Sequence, residues 1–343
     1  MHFIDFILLA RRLTMLAGAA IWFGLPPAVA ADYAQREEVR EFVAAMADKH
    51  GFDASALIGL FQQAQFQPGV IKAIMPPRDP KVRSWRVYRS RYLDEARIAG
   101  GLAFWDDHAA ALQEAQRTFG VPQEIIVAII GVETIYGRTM GGFQTLSALA
   151  TLAFDYPPRA ELFRTELEEL LLLARDTRKE ATEFHGSYAG ALGLPQFLPS
   201  SYRRYAVDFD GDGRVDLSGS PADAIGSVAH FLQRHGWRTG GRIALRAKAA
   251  PERLAALADG SVAPRYSSTD LAQHGIVAAS DVAEDETVAL IDLVTPDAPT
   301  EYWFGFQNFY VLTRYNRSSF YAMAVFQLAQ ALVEERAARV ARY

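Results

Sequence analysis

The chain has 343 residues, is 50% hydrophobic, carries a formal net charge of -5 and contains no cysteine. That length suits two or three compact units with filled cores, and the slight acidic excess excludes a nucleic-acid surface, which needs clustered Lys and Arg. Without cysteine there is no disulfide and no lipidated thiol, so an oxidising compartment is tolerated.

Residues 1–30 have the layout of an export signal: Arg11 and Arg12, an apolar stretch from Leu13 to Leu25, then Ala28-Val29-Ala30 before Ala31. The stretch is shorter than the ~20 residues that span a bilayer. It therefore reads as a cleaved leader rather than a stable membrane anchor, with the mature chain starting at about Ala31. As a twin-arginine signal, "RRLTML" is a poor match.

Residues 35–66 place Val39, Phe42, Val43 and Met46 at helical spacing. The segment "PGVIKAIMPPRDP", with four of the 16 prolines, reads as a linker or turn. A helix is expected over residues 89–116, and another from Val121-Pro122, with proline near N1, to Gly141-Gly142. "TLSALATLAFDYPP" and "RAELFRTELEELLLLARDT" give two more. After Gly240, "GRIALRA", "ETVALIDLV" and "NFYVLTRYN" read as short strands between turns. A final amphipathic helix follows, capped by Ser318 or Ser319. The expected fold class is mainly α (α+β), with a small antiparallel β domain.

One carboxylate stands out. In "EIIVAIIGVETIYGRTMGG", Glu133 shares a helix face with Ile126, Ile129 and Ile130, seven, four and three residues earlier. Partial desolvation raises an acid's pKa, which is how a glutamate donates a proton near neutrality. A buried ion pair with Arg138, or a capping role, fits the same position.

Two further segments carry chemistry. "HGSYAGALGLPQFLPSSYRRYAVD" sets Gly186, Gly190 and Gly193 among Ser187, Gln196, Ser200, Ser201, Tyr202 and Tyr205. That mixture suits a neutral, hydroxyl-rich ligand such as a sugar, bound by amides and hydroxyls with aromatic rings beneath it. "DFDGDGRVDL" follows the first nine positions of an EF-hand loop, with Asp208, Asp210 and Asp212 at positions 1, 3 and 5, Gly213 at 6 and Arg214 offering its carbonyl at 7. Three crowded carboxylates call for a hard cation, Ca²⁺ first, in a structural role. Position 12 is Gly219 rather than glutamate, so either Asp223 completes the shell or the site is weak. A solvated Asp-Gly turn is the plain alternative.

Taken together, "GVETIYGRTMGG", "LATLAFDYPPRAELF", "GSYAGALGLPQFLPSSYRRYAVDFDGDGRVDL", "DAIGSVAHFLQRHGW" and "RYNRSSFYAMAV" resemble the membrane-bound lytic murein transglycosylase B family, glycoside hydrolase family 103, over residues 88–343. The resemblance implies a lysozyme-like helical core acting in the periplasm on peptidoglycan glycan strands, with cell-wall synthesis complexes as further partners. It implies cleavage between N-acetylmuramic acid and N-acetylglucosamine, leaving a 1,6-anhydromuramoyl end. Glu133 takes the place of the catalytic acid/base, and Tyr88, Ser187, Gln196, Tyr315, Asn316 and Tyr321 take the places of groove residues. The implied metal ligands are Asp208, Asp210, Asp212, the Arg214 carbonyl and Asp223. Phe231 stands where a tyrosine is expected, Pro158 where a second arginine can precede Arg159, and the lipid-bearing cysteine is missing, which suggests a soluble member.

The expected organisation is a signal peptide over 1–30, an N-terminal helical region over 31–100, a catalytic core with the metal loop over 101–240, a β domain over 241–317 and a C-terminal helix over 318–343. Ordinary glycosidases use two carboxylates, whereas here one acid must serve as acid and then as base, assisted by the substrate's N-acetyl group. A hydrolytic muramidase and a catalytically silent peptidoglycan-binding scaffold are the competing readings.

Overall fold

The computed structural model describes residues 32–76, 83–282 and 286–341, so the expected export leader lies outside the described residues. In chain order the elements are α1 (Glu37–His50), α2 (Ala54–Phe61), α3 (Pro68–Ile74), α4 (Trp85–Ser90), α5 (Glu95–Asp107), α6 (Ala109–Phe119), α7 (Gln123–Thr134), β1 (Phe143–Gln144), α8 (Thr145–Asp155), α9 (Ala160–Thr177), β2 (His185–Gly186) and α10 (Pro199–Tyr205). Then come α11 (Pro221–Arg234), β3 (Ala244–Lys248), α12 (Pro251–Leu257), β4 (Tyr266–Ser267), α13 (Ser268–Gln273), β5 (Val277–Ala278), β6 (Thr287–Leu293), β7 (Glu301–Gly305), α14 (Gln307–Tyr315) and α15 (Ser319–Val340). The fold is mainly helical with a small antiparallel sheet, as the sequence predicts.

The described residues form two compact units, one within 32–76, 140–192 and 196–204 and the other within 83–139, 193–195 and 205–341. In the first, α8 and α9 pair and share a core with α1, α2 and α3 through Val39, Phe61, Val70, Leu149 and Leu167. The strands β1 and β2 form a short antiparallel pair.

In the second unit α7 is central. Residues 125–134 of α7 are all buried, and α5, α6, α11 and α15 pack around it. A helix that is apolar on every side needs such a jacket. The same unit holds a five-stranded antiparallel sheet in the order β4-β6-β7-β3-β5. Its core of Val288, Leu290, Phe304 and Phe306 closes against Leu254 of α12 and Leu271 of α13.

Several boundaries differ from the sequence reading, each for a local reason. Residues 35–66 are two helices, because Gly51 turns left-handed at φ 67° and Asp53 caps the next start by accepting from Ala56 N. The first part of the expected linker is instead α3, with Pro68 at its N-terminus, where a missing N–H costs nothing, and its end, residues 77–80, lies outside the described residues. The single helix over 89–116 is three: Asp94 caps α5 through the Arg97 amide, and a non-helical His108 separates α5 from α6. The helix carrying Glu133 stops at Thr134 instead of Gly141. "NFYVLTRYN" is α14, pinned by Asn308, whose side chain accepts from Arg238 N and donates to the Arg238 and Gly241 carbonyls. The third strand is β7, between β6 and β3. The expected cap of the last helix is Ser318, which accepts from Tyr321 N.

Candidate active site

Glu133 is the penultimate residue of α7 and only 7% exposed. Its Oε1 accepts a 2.7 Å hydrogen bond from the Tyr321 hydroxyl. Among the described residues no ion pair reaches it, so pairing with Arg138 is not what holds it. Burial pushes its pKa up to about 7, and the Tyr321 hydrogen bond opposes the rise only in part. Burial, and not a second carboxylate, raises it.

The tyrosines form a wall beside the acid. Tyr315 and Tyr321 lie nearly parallel, 6.3 Å apart with 11° between planes. The Tyr315 hydroxyl donates to Pro195 O at 2.6 Å. Burial and the Glu133 charge push both phenols up, so they remain neutral donors. Asn316 follows α14 and is buried. Tyr88 sits on α4 among Trp85, Tyr92 and Phe320. Phe231 meets Tyr315 edge-on at 4.8 Å and stacks on His235 at 4.0 Å, an apolar surface where a tyrosine would add a hydroxyl.

Glu133, Tyr88, Tyr315, Asn316 and Tyr321 thus lie in one unit, and Ser187 and Gln196 in the other. The Ser187 hydroxyl accepts from Ala191 N within a tight turn whose Gly190 is left-handed. Gln196 is left-handed too, at φ 51°, and its side-chain amide donates to Met140 O. A non-glycine residue held in that region carries strain that the surrounding loop must sustain.

In the acidic loop, Asp208, Asp210 and Asp212 bring carboxylate oxygens within 4.8 Å of one another, all exposed. Gly211 and Gly213 turn left-handed, and their amides donate to the two oxygens of Asp208. The buried Asp223 accepts from Phe209 N and Asp216 N, both at 2.8 Å, fastening the two ends of the loop to α11. The carboxylates that converge are those of Asp208, Asp210 and Asp212 and not that of Asp223, and their oxygens are the ligand type that a hard divalent cation takes.

Sequence reasoning missed three residues. Arg97, 9% exposed, donates to the Gly131 and Arg91 carbonyls and pairs with Asp94. Tyr136 lies between α5 and α7, its hydroxyl donating to Arg97 O at 2.9 Å. Glu166 is the other buried glutamate among the described residues, and burial raises its pKa as well. Both of its oxygens are taken, by Ser200 N at 3.0 Å and the Ser200 hydroxyl at 2.7 Å, so it anchors the start of α10. The clue to Arg97 and Tyr136 was the set of glycines inside two helices, Gly100, Gly101 and Gly131, which weaken a helix unless something needs the space.

Comparison with known proteins gives a consistent result. The Transglycosylase SLT domain family matches residues 34–330. Membrane-bound lytic murein transglycosylase B of Escherichia coli (strain K12) is 41% identical over 316 residues, 89% of this chain and 85% of that one. The crystal structure of soluble lytic transglycosylase SltB1 from Pseudomonas aeruginosa superposes with a TM-score of 0.82 at 45% identity, covering 88% of this chain and 99% of that one. Escherichia coli lytic transglycosylase Slt35 in complex with calcium gives a TM-score of 0.79 at 40% identity, over 89% and 96%.

Proposed function

The chain belongs to the lytic transglycosylase family of the Transglycosylase SLT domain and is a lytic transglycosylase of peptidoglycan; from that premise we propose that Glu133 alone carries the reaction, first as acid and then as base. The observation that supports this reading is a buried glutamate with a pKa near 7, raised by burial and hydrogen-bonded to a neutral tyrosine. At neutral pH a large fraction of such a group is protonated, ready to give its proton to the glycosidic oxygen.

The bond proposed to break joins N-acetylmuramic acid to N-acetylglucosamine. As it breaks, positive charge develops at C1, and the N-acetyl carbonyl of the muramic acid supports it. Glu133, now a carboxylate, takes the proton from the sugar's own C6 hydroxyl, whose oxygen attacks C1 and closes the 1,6-anhydro ring. No water is consumed. Tyr321 holds the carboxylate during its charged interval, Tyr315 and Tyr88 flank the sugar, and Asn316 orients its polar groups. Mass analysis of digested peptidoglycan tests the reaction: products one water lighter than hydrolytic fragments are expected, and purely reducing ends would mark a muramidase instead.

The acidic loop is proposed to hold a structural Ca²⁺ through Asp208, Asp210, Asp212 and the Arg214 carbonyl, with Asp223 bracing or completing the shell. An ion bound only by the folded state adds about 2.7 kcal/mol of stability at a hundredfold excess over its dissociation constant. A chelator is therefore expected to lower the melting temperature and added Ca²⁺ to restore it; an unchanged melt would remove the ion from this account. For location, the leader pattern supports the periplasm. No helix among the described residues is long and apolar enough to cross a membrane.

A further inference from the structure

We propose that Tyr136 is a positioning residue for the acid: its ring, seated in a slot cut by Gly100, Gly101 and Gly131, locks the last turn of the helix that carries Glu133. The inference rests on the reading of Glu133 as the acid. Immediately after Thr134 the backbone is left-handed three times in succession, at Ile135 (φ 51°), Tyr136 (φ 58°) and Gly137 (φ 87°). For a β-branched isoleucine this conformation is an outlier that persists only when its surroundings impose it.

The surroundings do so from two sides. On one side, a methyl group at Gly131 or Gly101 would overlap the Tyr136 hydroxyl, and one at Gly100 would press on the ring at 3.1 Å. The three glycines therefore make room for this side chain, and Gly101 makes room for Leu332 as well. The hydroxyl donates to Arg97 O at 2.9 Å, Arg97 Nε donates back to Gly131 O at 3.2 Å, and Phe104 packs on the ring at 5.5 Å. On the other side, the Thr134 hydroxyl donates to Leu194 O at 2.9 Å and accepts from Gly137 N at 3.0 Å. Glu133 sits between these fastenings. Its 2.7 Å bond to Tyr321 depends on where the final turn of α7 is held.

Removing the lock lets that turn fray and admits water to the carboxylate. The test uses the full chain, with turnover of glycan strands measured across pH for wild type, Tyr136→Leu, Tyr136→Phe and Gly131→Ala. Tyr136→Leu is expected to lower kcat at least about tenfold with KM within about threefold. It is also expected to move the alkaline limb of kcat/KM down by about a pH unit or more, because a hydrated acid titrates lower. Tyr136→Phe keeps the ring in its slot and is expected to stay close to wild type. Gly131→Ala favours the helix intrinsically yet evicts the ring, so it is expected to repeat the Tyr136→Leu result even if the latter fails to fold. A folded Tyr136→Leu or Gly131→Ala enzyme with the wild-type limb would overturn the proposal, because loss of stability alone does not move a titration. Activity retained in Glu133→Gln would instead overturn the acid reading beneath it.

Discussion

Glu133→Gln is expected to lower release of anhydro products by about a thousandfold or more while binding to sacculi is retained. Glutamine fills the same space and its amide oxygen still accepts from Tyr321, so packing around the final turn of α7 is kept. On the proposed mechanism what disappears is the proton, twice: none is delivered to the leaving oxygen and none is taken from the C6 hydroxyl. A single general acid–base role contributes about 10²- to 10⁴-fold, and in the proposed mechanism one group fills both. In the wild type, kcat/KM should fall as pH rises through about 7, where Glu133 loses its proton. The Tyr321 hydrogen bond favours the charged form, so Tyr321→Phe is expected to raise that pKa and carry the alkaline limb to higher pH. Glu133→Gln with wild-type product release, or a wild-type enzyme with no limb near neutrality, would sink the assignment.

Much of this site was legible in the sequence because its informative signals are local. The apolar run before Glu133 predicts a helix buried on the face that carries the acid, and α7 is that helix, with Ile126, Ile129 and Ile130 fully buried. The Asp208-Asp210-Asp212 spacing likewise encodes a loop whose carboxylates converge. What the sequence hid is set by contacts between distant segments. Nothing in "NFYVLTRYN" tells a reader that Asn308 will bond the Arg238 and Gly241 backbone and fix a helix there. The end of α7 is hidden for a similar reason. Gly141-Gly142 is the more obvious terminator, but the turn occurs at Ile135, enforced by a tyrosine whose slot lies partly on α5.

The same burial that suits Glu133 to acid chemistry should cost the enzyme stability, with a defined pH dependence. The carboxyl titrates at about 7 in the folded chain against an ordinary value of 4.5. Between those values the native state keeps a proton that the unfolded state has released, so the stability due to this group is fully present below about pH 4.5 and is lost as pH rises through about 7. The difference amounts to about 3 kcal/mol above neutrality. Glutamine carries no such titration. Glu133→Gln is therefore expected to be more stable than wild type by about that amount at pH 8.5, with the gain shrinking markedly at pH 5.5. Paired denaturant or thermal unfolding curves at the two pH values measure this, and any fixed difference in packing between Glu and Gln cancels between them. An equal stability difference at both pH values would mean that Glu133 is solvated in the folded chain, and the account of its acidity would fail with it.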